Sequence, residues 1–134
     1  MDQVFSGIFV GTESDAGDEP LLRKHGVDVV LSLTHSNPDT GDVNRVDVPM
    51  TDGPQNSYQA FAEAVETVVQ QHENNHRVLI HCSAGSSRSP SVAAAAITHL
   101  SDTTLNEAFN QIIETRPETD PHDVLVRQAI KFTD

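Results

Sequence analysis

Cysteine and basic residues are scarce in this sequence of 134 residues. Lys plus Arg number 8 against 20 Asp plus Glu, so the formal charge is −12. Nucleic acids and anionic membranes bind basic protein surfaces, and a charge of this sign argues against both as partners. The single cysteine, Cys82, has no second cysteine with which to form an intramolecular disulfide, which favours a reducing compartment.

Long apolar runs are also missing. The longest, residues 92–97, falls far short of the roughly 20 residues that a membrane-spanning helix needs. The first residues carry neither a basic region nor an apolar stretch, so no signal peptide is expected. Together with the length, these absences predict a cytoplasmic protein that forms a single domain over residues 1–134.

Segments with the apolar pattern of a strand and segments with that of a helix alternate along the chain. Strands are predicted for residues 4–5 and 8–10 (both as edge strands), 27–33, 46–48 and 78–80. Helices are predicted for residues 20–25, between Asn56 and Asn74, for 91–100, between Thr104 and Pro117, and after Asp120. This order predicts an α/β fold with a central, mostly parallel sheet of about four to five strands flanked by helices.

Local signals add detail to the helices. Asn56, Thr104 and Asp120 are interpreted as N-caps, because their side chains accept hydrogen bonds from amides of the first turn. The helix after Thr104 carries an apolar stripe at helical spacing, made of Leu105, Ala108, Phe109, Ile112 and Ile113. The acidic segment 13–19 is interpreted as a solvated loop.

One segment carries most of the functional information. Residues 79–90 read Leu-Ile-His-Cys-Ser-Ala-Gly-Ser-Ser-Arg-Ser-Pro and join a predicted strand to a predicted helix through a loop of small residues. Successive N–H groups of such a loop can converge, Gly85 tolerates a positive φ, and the helix start adds a partial positive charge. The loop suits a phosphate dianion, and Arg88 adds a two-pronged donor.

Cys82 stands where the strand enters this loop. The field that binds a phosphate also favours the thiolate form of a cysteine. A thiolate beneath a bound phosphate is placed for in-line attack on phosphorus. The position therefore predicts a nucleophile rather than an inert core cysteine.

The spacing from Cys82 through five residues to Arg88 resembles the signature of the cysteine-based protein phosphatases, and the run His-Cys-x-x-Gly-x-Ser-Arg-Ser-Pro resembles their dual-specificity branch. Segments 8–27 and 116–121 are similar to the opening and closing patterns of that family, with His122 where the family often has Asn. The resemblance implies a phosphatase-type loop between strand and helix, and hydrolysis of phosphate monoesters on phosphoproteins.

Residue roles follow from the same resemblance. Cys82 matches the nucleophile that forms a phosphocysteine, and Arg88 matches the residue that clamps the phosphoryl oxygens. Ser89 matches a hydroxyl beside the sulfur, and His81 matches a buried residue that supports the loop. The phosphate cradle matches the backbone N–H groups of Ser83, Ala84, Gly85, Ser86, Ser87 and Arg88.

A proton donor is needed because cleavage of the ester leaves an alkoxide, and the family places an Asp for this purpose on a separate loop about thirty residues before the Cys. Here 82 − 52 = 30 selects Asp52, between a predicted strand and a predicted helix. Asp47 is the rival, but it lies within a predicted strand.

The substrate class follows from charge and length. The five residues between Cys82 and Arg88 carry no charge, unlike those of phosphatases that act on inositol lipids. RNA-end phosphatases need a basic surface, which this chain lacks. A chain this short leaves little room for the loops that deepen a phosphotyrosine-only pocket, so dual specificity is predicted. The alternatives are a phosphotyrosine-selective phosphatase and a non-catalytic module that binds phospho-residues on the same fold.

No metal or other cofactor is predicted. The six histidines other than His81 have no metal-ligand spacing with carboxylates or with Cys82. The predicted mechanism therefore relies on the thiolate, the carboxylic acid and the loop alone.

Only two of the basic residues are lysines, Lys24 and Lys131. An acidic surface that is poor in lysine is typical of proteins from a high-salt cytoplasm, because salt screens the repulsion among carboxylates. We expect the unfolding temperature, followed by circular dichroism, to be higher in about 1 M KCl than in about 0.1 M KCl. A fold that is most stable at low salt would exclude a halophilic origin.

Overall fold

A computed structural model describes residues 1–134. The strands are β1 (Asp2–Phe5), β2 (Ile8–Gly11), β3 (Val29–Ser32), β4 (Asn44–Asp47) and β5 (Val78–His81). The helices are α1 (Glu13–Ala16), α2 (Glu19–Lys24), α3 (Tyr58–Glu73), α4 (Arg88–Leu100), α5 (Leu105–Thr115) and α6 (Asp123–Thr133). The strands form one sheet in the order β1-β2-β5-β3-β4, in which only β1 is antiparallel. This confirms the predicted α/β fold.

Both faces of the sheet are covered. Successive side chains of a strand point to opposite faces, so neighbouring residues of β5 enter different cores. Ile80 belongs to the main core, which includes residues of α3, α4, α5 and α6. Leu79 belongs to a smaller core with Ala16 of α1 and Leu22 of α2. Burial on both sides explains why β2, β3 and β5 are apolar along nearly their whole length.

Two sequence predictions are wrong at the start of the chain. β2 is not an edge strand, because it pairs with β1 on one side and with β5 on the other. The acidic segment predicted to be a loop contains α1. The cause is a capping box, in which the Thr12 side chain accepts from the Asp15 N–H and the Asp15 carboxylate accepts from the Thr12 N–H.

Two predicted caps are also wrong. Ser57, not Asn56, caps α3, and His122, not Asp120, caps α6. The Asn56 side chain instead accepts a hydrogen bond from the Thr51 N–H. Asn56 also pairs with Gln128 of α6, and the Asp120 N–H donates to Ser86 O, so both residues contact distant segments.

The carboxyl ends of the parallel strands lie at one edge of the sheet. β5 ends at His81 and leads through residues 82–87 into α4, while the segment after β4 leads through Asp52 into α3. The two loops that carry the predicted chemistry therefore share this edge, where α/β proteins bind their ligands. None of the helices is both long and apolar enough to cross a lipid bilayer.

Helix α5 offers a matched pair of isoleucines. The predicted stripe places both on the buried face, but Ile113 is 41% exposed whereas Ile112 is 0% exposed. We expect Ile112→Ala to lower the free energy of unfolding by about 2–5 kcal/mol, because it leaves a cavity. Ile113→Ala is expected to lower it by about 1 kcal/mol or less. Urea denaturation measures both, and equal losses would contradict the packing.

His81, the last residue of β5, is fully buried, and neither ring nitrogen has a hydrogen-bond partner of good geometry. Desolvation lowers the pKa of His81, because burial penalises the imidazolium. This effect outweighs the raising effects of the Cys82 backbone and the Glu13 carboxylate. The folded chain therefore keeps His81 neutral around pH 7.

The unfolded chain binds a proton at His81 at a higher pH than the folded chain does. The stability that this residue contributes is complete above the unfolded pKa of about 6.5 and is lost as the pH falls below it. We expect His81→Gln to reduce the slope of unfolding free energy against pH by up to about 1.4 kcal/mol per pH unit below about pH 6.5. His35→Gln, which removes a histidine at an exposed site, is the matched control. An unchanged slope in His81→Gln would contradict the neutral assignment.

Candidate active site

Residues 82–87 form the loop between β5 and α4, here called the cradle loop. Cys82 opens the loop and is only 2% exposed, so its sulfur lies at the bottom. Ser83 and Ala84 are exposed, so the other side of the loop faces solvent. Arg88 begins α4 directly after the loop.

Four consecutive carbonyl oxygens of the cradle loop accept hydrogen bonds from groups outside it. The pairs are Glu13 N with Ser83 O (3.3 Å), Arg116 Nη2 with Ala84 O (3.1 Å), Arg116 Nε with Gly85 O (2.7 Å) and Asp120 N with Ser86 O (2.7 Å). The chain has no cis peptide, and in a trans peptide the C=O and the next N–H point in opposite directions. The N–H groups of residues 84–87 therefore point away from those partners, towards the inside of the loop.

The N–H groups on the inside of the cradle loop are free. None of the amides of residues 83–87 donates a hydrogen bond to another group of the protein. Adjacent free amides at the start of a helix form a concave site that suits an anion with several oxygen atoms. The chemistry of the cradle loop therefore suits an anion, as its sequence predicts.

Arg116 holds the cradle loop in this shape. Its guanidinium is buried and, besides the two loop carbonyls, donates to Asp2 Oδ2 of β1 at 2.7 Å. Gly85 allows this approach: its φ is +66°, and a Cβ atom there would lie 2.6 Å from Arg116 Nη2 and 2.8 Å from Gly11 O. Arg116 begins the segment 116–121, and the resemblance of that segment to the family implies no role for it. Its partners Gly85 and Asp2 lie 31 and 114 residues away, so no local sequence pattern predicts these contacts.

The sulfur of Cys82 has two polar neighbours on α4. The Ser89 N–H donates to Sγ at 3.5 Å, and the Ser89 hydroxyl lies 3.1 Å from Sγ. Donors at this distance stabilise a sulfur anion. His81, directly before Cys82, is neutral because desolvation lowers its pKa. It therefore adds no positive charge to the site.

Arg88 connects the cradle loop to the neighbouring loops. Its Nη1 donates to Met50 O at 3.1 Å and to Leu33 O at 3.4 Å, and its Nη2 donates to the Ser83 hydroxyl at 3.1 Å. The guanidinium thus lies between the end of β3, the segment before Asp52 and the first residues of the cradle loop. From there it can meet an anion that the cradle loop holds.

Asp52 lies at the rim of the cradle loop. Its Oδ1 accepts a hydrogen bond from the Ser87 hydroxyl at 2.6 Å, and the same hydroxyl accepts from the His122 N–H at 2.9 Å. The carboxylate is exposed and so is accessible to a ligand. The rival, Asp47, pairs with Arg45 on the edge strand at 3.0 Å and does not contact the loop. The structure thus brings Asp52 to the cradle loop and leaves Asp47 outside.

Comparison with known proteins agrees with this architecture. The family described as "Dual specificity phosphatase, catalytic domain" matches residues 8–134. The dual specificity protein phosphatase Mpk3 of Drosophila melanogaster is 28% identical over 130 residues, which cover 93% of this chain and 32% of that protein. Human dual specificity protein phosphatase 14 is 28% identical over 133 residues, which cover 97% of this chain and 67% of that protein.

The crystal structure of human DUSP28 has the same fold. It aligns with a TM-score of 0.89 at 22% sequence identity, covering 99% of this chain and 95% of that one. The chain spans about a third of the length of the first curated relatives that it matches. Because the family match extends over nearly all residues, this chain belongs to the dual specificity phosphatase catalytic domain family.

Proposed function

We propose that this chain hydrolyses phosphate monoesters on the tyrosine, serine and threonine residues of phosphoproteins, through a phosphocysteine at Cys82. One observation carries the proposal: a buried sulfur with a donor on Ser89 lies at the base of a loop whose amides have no partner in the protein. The non-bridging oxygens of a phosphoryl group supply the acceptors that those amides lack. A phosphoryl group that is held in this way has its phosphorus atom close to the sulfur.

In the first step, the Cys82 thiolate attacks phosphorus and the S–P bond forms. The P–O ester bond breaks, and Asp52, as the carboxylic acid, gives its proton to the leaving oxygen. The Arg88 guanidinium and the cradle amides stabilise the charge on the other phosphoryl oxygens. The position of Asp52 at the loop rim supports this role, because the leaving oxygen departs on the open side.

In the second step, the Asp52 carboxylate accepts a proton from water as the water oxygen attacks phosphorus. The S–P bond breaks, inorganic phosphate is released and the Cys82 thiolate returns. The Ser89 N–H and hydroxyl lie beside the sulfur and stabilise the charge that develops on it as it leaves. Asp52 ends the cycle protonated, ready for the next ester.

Dual specificity is supported by the open side of the cradle loop. Ser83 and Ala84 are exposed, so the loop lies near the surface rather than at the bottom of a deep cleft. A phosphate on the short side chain of Ser or Thr reaches a shallow site as well as phosphotyrosine does. The relatives are themselves named dual specificity protein phosphatases.

Domain organisation and location belong to the same proposal. Both cores pack on one sheet, which supports a single catalytic domain over residues 1–134. A nucleophilic thiolate needs a reducing compartment, which supports the cytoplasm. The formal charge of −12 supports phosphoproteins rather than nucleic acids as partners.

Rapid-mixing kinetics with p-nitrophenyl phosphate and with phosphopeptides tests the proposal. We expect the parent chain to show a burst followed by turnover, and Cys82→Ser to show neither, because a hydroxyl is a far weaker nucleophile. Asp52→Asn is expected to slow hydrolysis of alkyl phosphates by about 10²- to 10⁴-fold, because no acid remains for the leaving oxygen. Asp47→Asn, the matched control, keeps parental rates.

Turnover by Cys82→Ser would disprove the nucleophile assignment, and full activity of Asp52→Asn on alkyl phosphates would disprove the acid. A parent chain that binds phosphopeptides without burst or turnover would be a binding module. A parent chain that hydrolyses only phosphotyrosine peptides would be a tyrosine-selective enzyme.

A further inference from the structure

The segment 51–56 carries Asp52 and is here called the acid loop. Its two ends are joined, because the Asn56 side chain accepts a hydrogen bond from the Thr51 N–H at 2.9 Å. Inside the loop, the Asn56 N–H donates to Gly53 O at 3.1 Å. The backbone on both sides of Asp52 is therefore tied to Asn56.

Asn56 is in turn held by helix α6. Its Nδ2 donates to Gln128 Oε1 at 2.9 Å, and Gln128 Nε2 donates to Asn56 O at 2.7 Å. Asn56 is buried and Gln128 is half-buried, so solvent competes weakly for this pair of hydrogen bonds. Paired amides of this kind fix both distance and orientation between a loop and a helix.

Helix α6 is also tied to the cradle loop and to the core. At its start, the His122 N–H donates to the Ser87 hydroxyl, which donates to Asp52. Along its buried face, Leu125 and Ala129 lie in the main core. The helix is therefore a rigid support with one contact to the nucleophile's loop and another to the acid's loop.

We propose that Gln128 is a positioning residue for Asp52 and that it acts through Asn56. This inference rests on the proposed role of Asp52 as the acid. Proton transfer requires the acid within hydrogen-bond reach of the leaving oxygen, and a misplacement of about 1 Å can lower a rate by about 10²-fold. Gln128 does not touch the reacting atoms, so it sets the rate through the position of the acid loop.

The decisive readout is the dependence of kcat/KM on the leaving group, because kcat/KM reports the steps up to formation of the phosphocysteine and not its hydrolysis, in which Asp52 also acts. The substrates are aryl phosphates whose phenols range from acidic to weakly acidic, because only weakly acidic phenols need a proton as they leave. The variant Gln128→Met keeps the length of the side chain and loses both hydrogen bonds. We expect it to lower kcat/KM by about 10- to 100-fold for the poorest leaving groups and to change it little for the best ones.

Two comparisons separate positioning from a general loss of structure. Gln59→Met is the matched control, since Gln59 lies exposed in the first turn of α3 and its side chain makes no hydrogen bond. The double variant Asp52→Asn with Gln128→Met is the second comparison. We expect it to have the same kcat/KM as Asp52→Asn alone, because the position of residue 52 no longer matters once the acid is absent. Thermal unfolding of each variant verifies that it is folded at the assay temperature.

Three outcomes would overturn the inference. They are an unchanged kcat/KM in Gln128→Met for every leaving group, an equal loss of kcat/KM for all leaving groups, and a further loss of kcat/KM on the Asp52→Asn background. Each would show that Gln128 acts on the fold or the cradle loop, or on nothing, while Asp52 remains the acid. If instead Asp52→Asn itself leaves the leaving-group dependence unchanged, the acid assignment fails, and the role of Gln128 fails with it.

Discussion

The orientation of four peptide groups in the cradle loop is the constraint on which the rest of the site depends. Their carbonyl oxygens are held outwards, two of them by the single buried guanidinium of Arg116. That guanidinium is balanced by Asp2, so strand β1 at the far edge of the sheet takes part in holding the loop. Because the amides already point inwards without a ligand, an anion that enters the loop does not have to reorganise it. Preorganised dipoles of this kind are the most effective way for a protein to stabilise charge in a transition state.

The electrostatic field inside the cradle loop favours an anion, whereas the net charge of the chain disfavours one. With a formal charge of −12, the protein repels anions at long range. Salt screens that repulsion over about 8 Å at physiological ionic strength, whereas amides and a guanidinium in direct contact with an anion are screened far less. Under the proposed function, binding of a phosphate group is thus decided by the few donors that would touch it, namely the cradle amides and Arg88. The neutral state of His81, whose pKa is lowered by desolvation, means that this field does not include an imidazolium charge.

The nucleophile and the acid of the proposed mechanism lie on two loops, and different contacts hold each loop in position. The nucleophile's loop is built into the β5–α4 connection, where a strand and a helix fix both of its ends. The acid's loop lies in the longer β4–α3 connection, and side-chain hydrogen bonds to Asn56 and, through it, to α6 add to what holds it in position. Helix α6 therefore has a role that its apolar face alone does not explain. It contacts two loops that are far apart in sequence. These loops must lie close together if proton transfer is to accompany the attack on phosphorus.

The sequence by itself determined the features whose signals are local. The short apolar runs of the strands, the helical stripes and the run from His81 to Ser89 are contiguous, so residue type and spacing were enough to predict the α/β fold and the cradle loop. Tertiary structure alone decided the interior position of β2, which depends on its pairing with β5, and the buried contacts of Arg116. It alone also decided the pairing of Asn56 with Gln128, 72 residues away. The physical reason is that a polar side chain finds its partner through the packing of distant elements, and that packing leaves no period in the sequence.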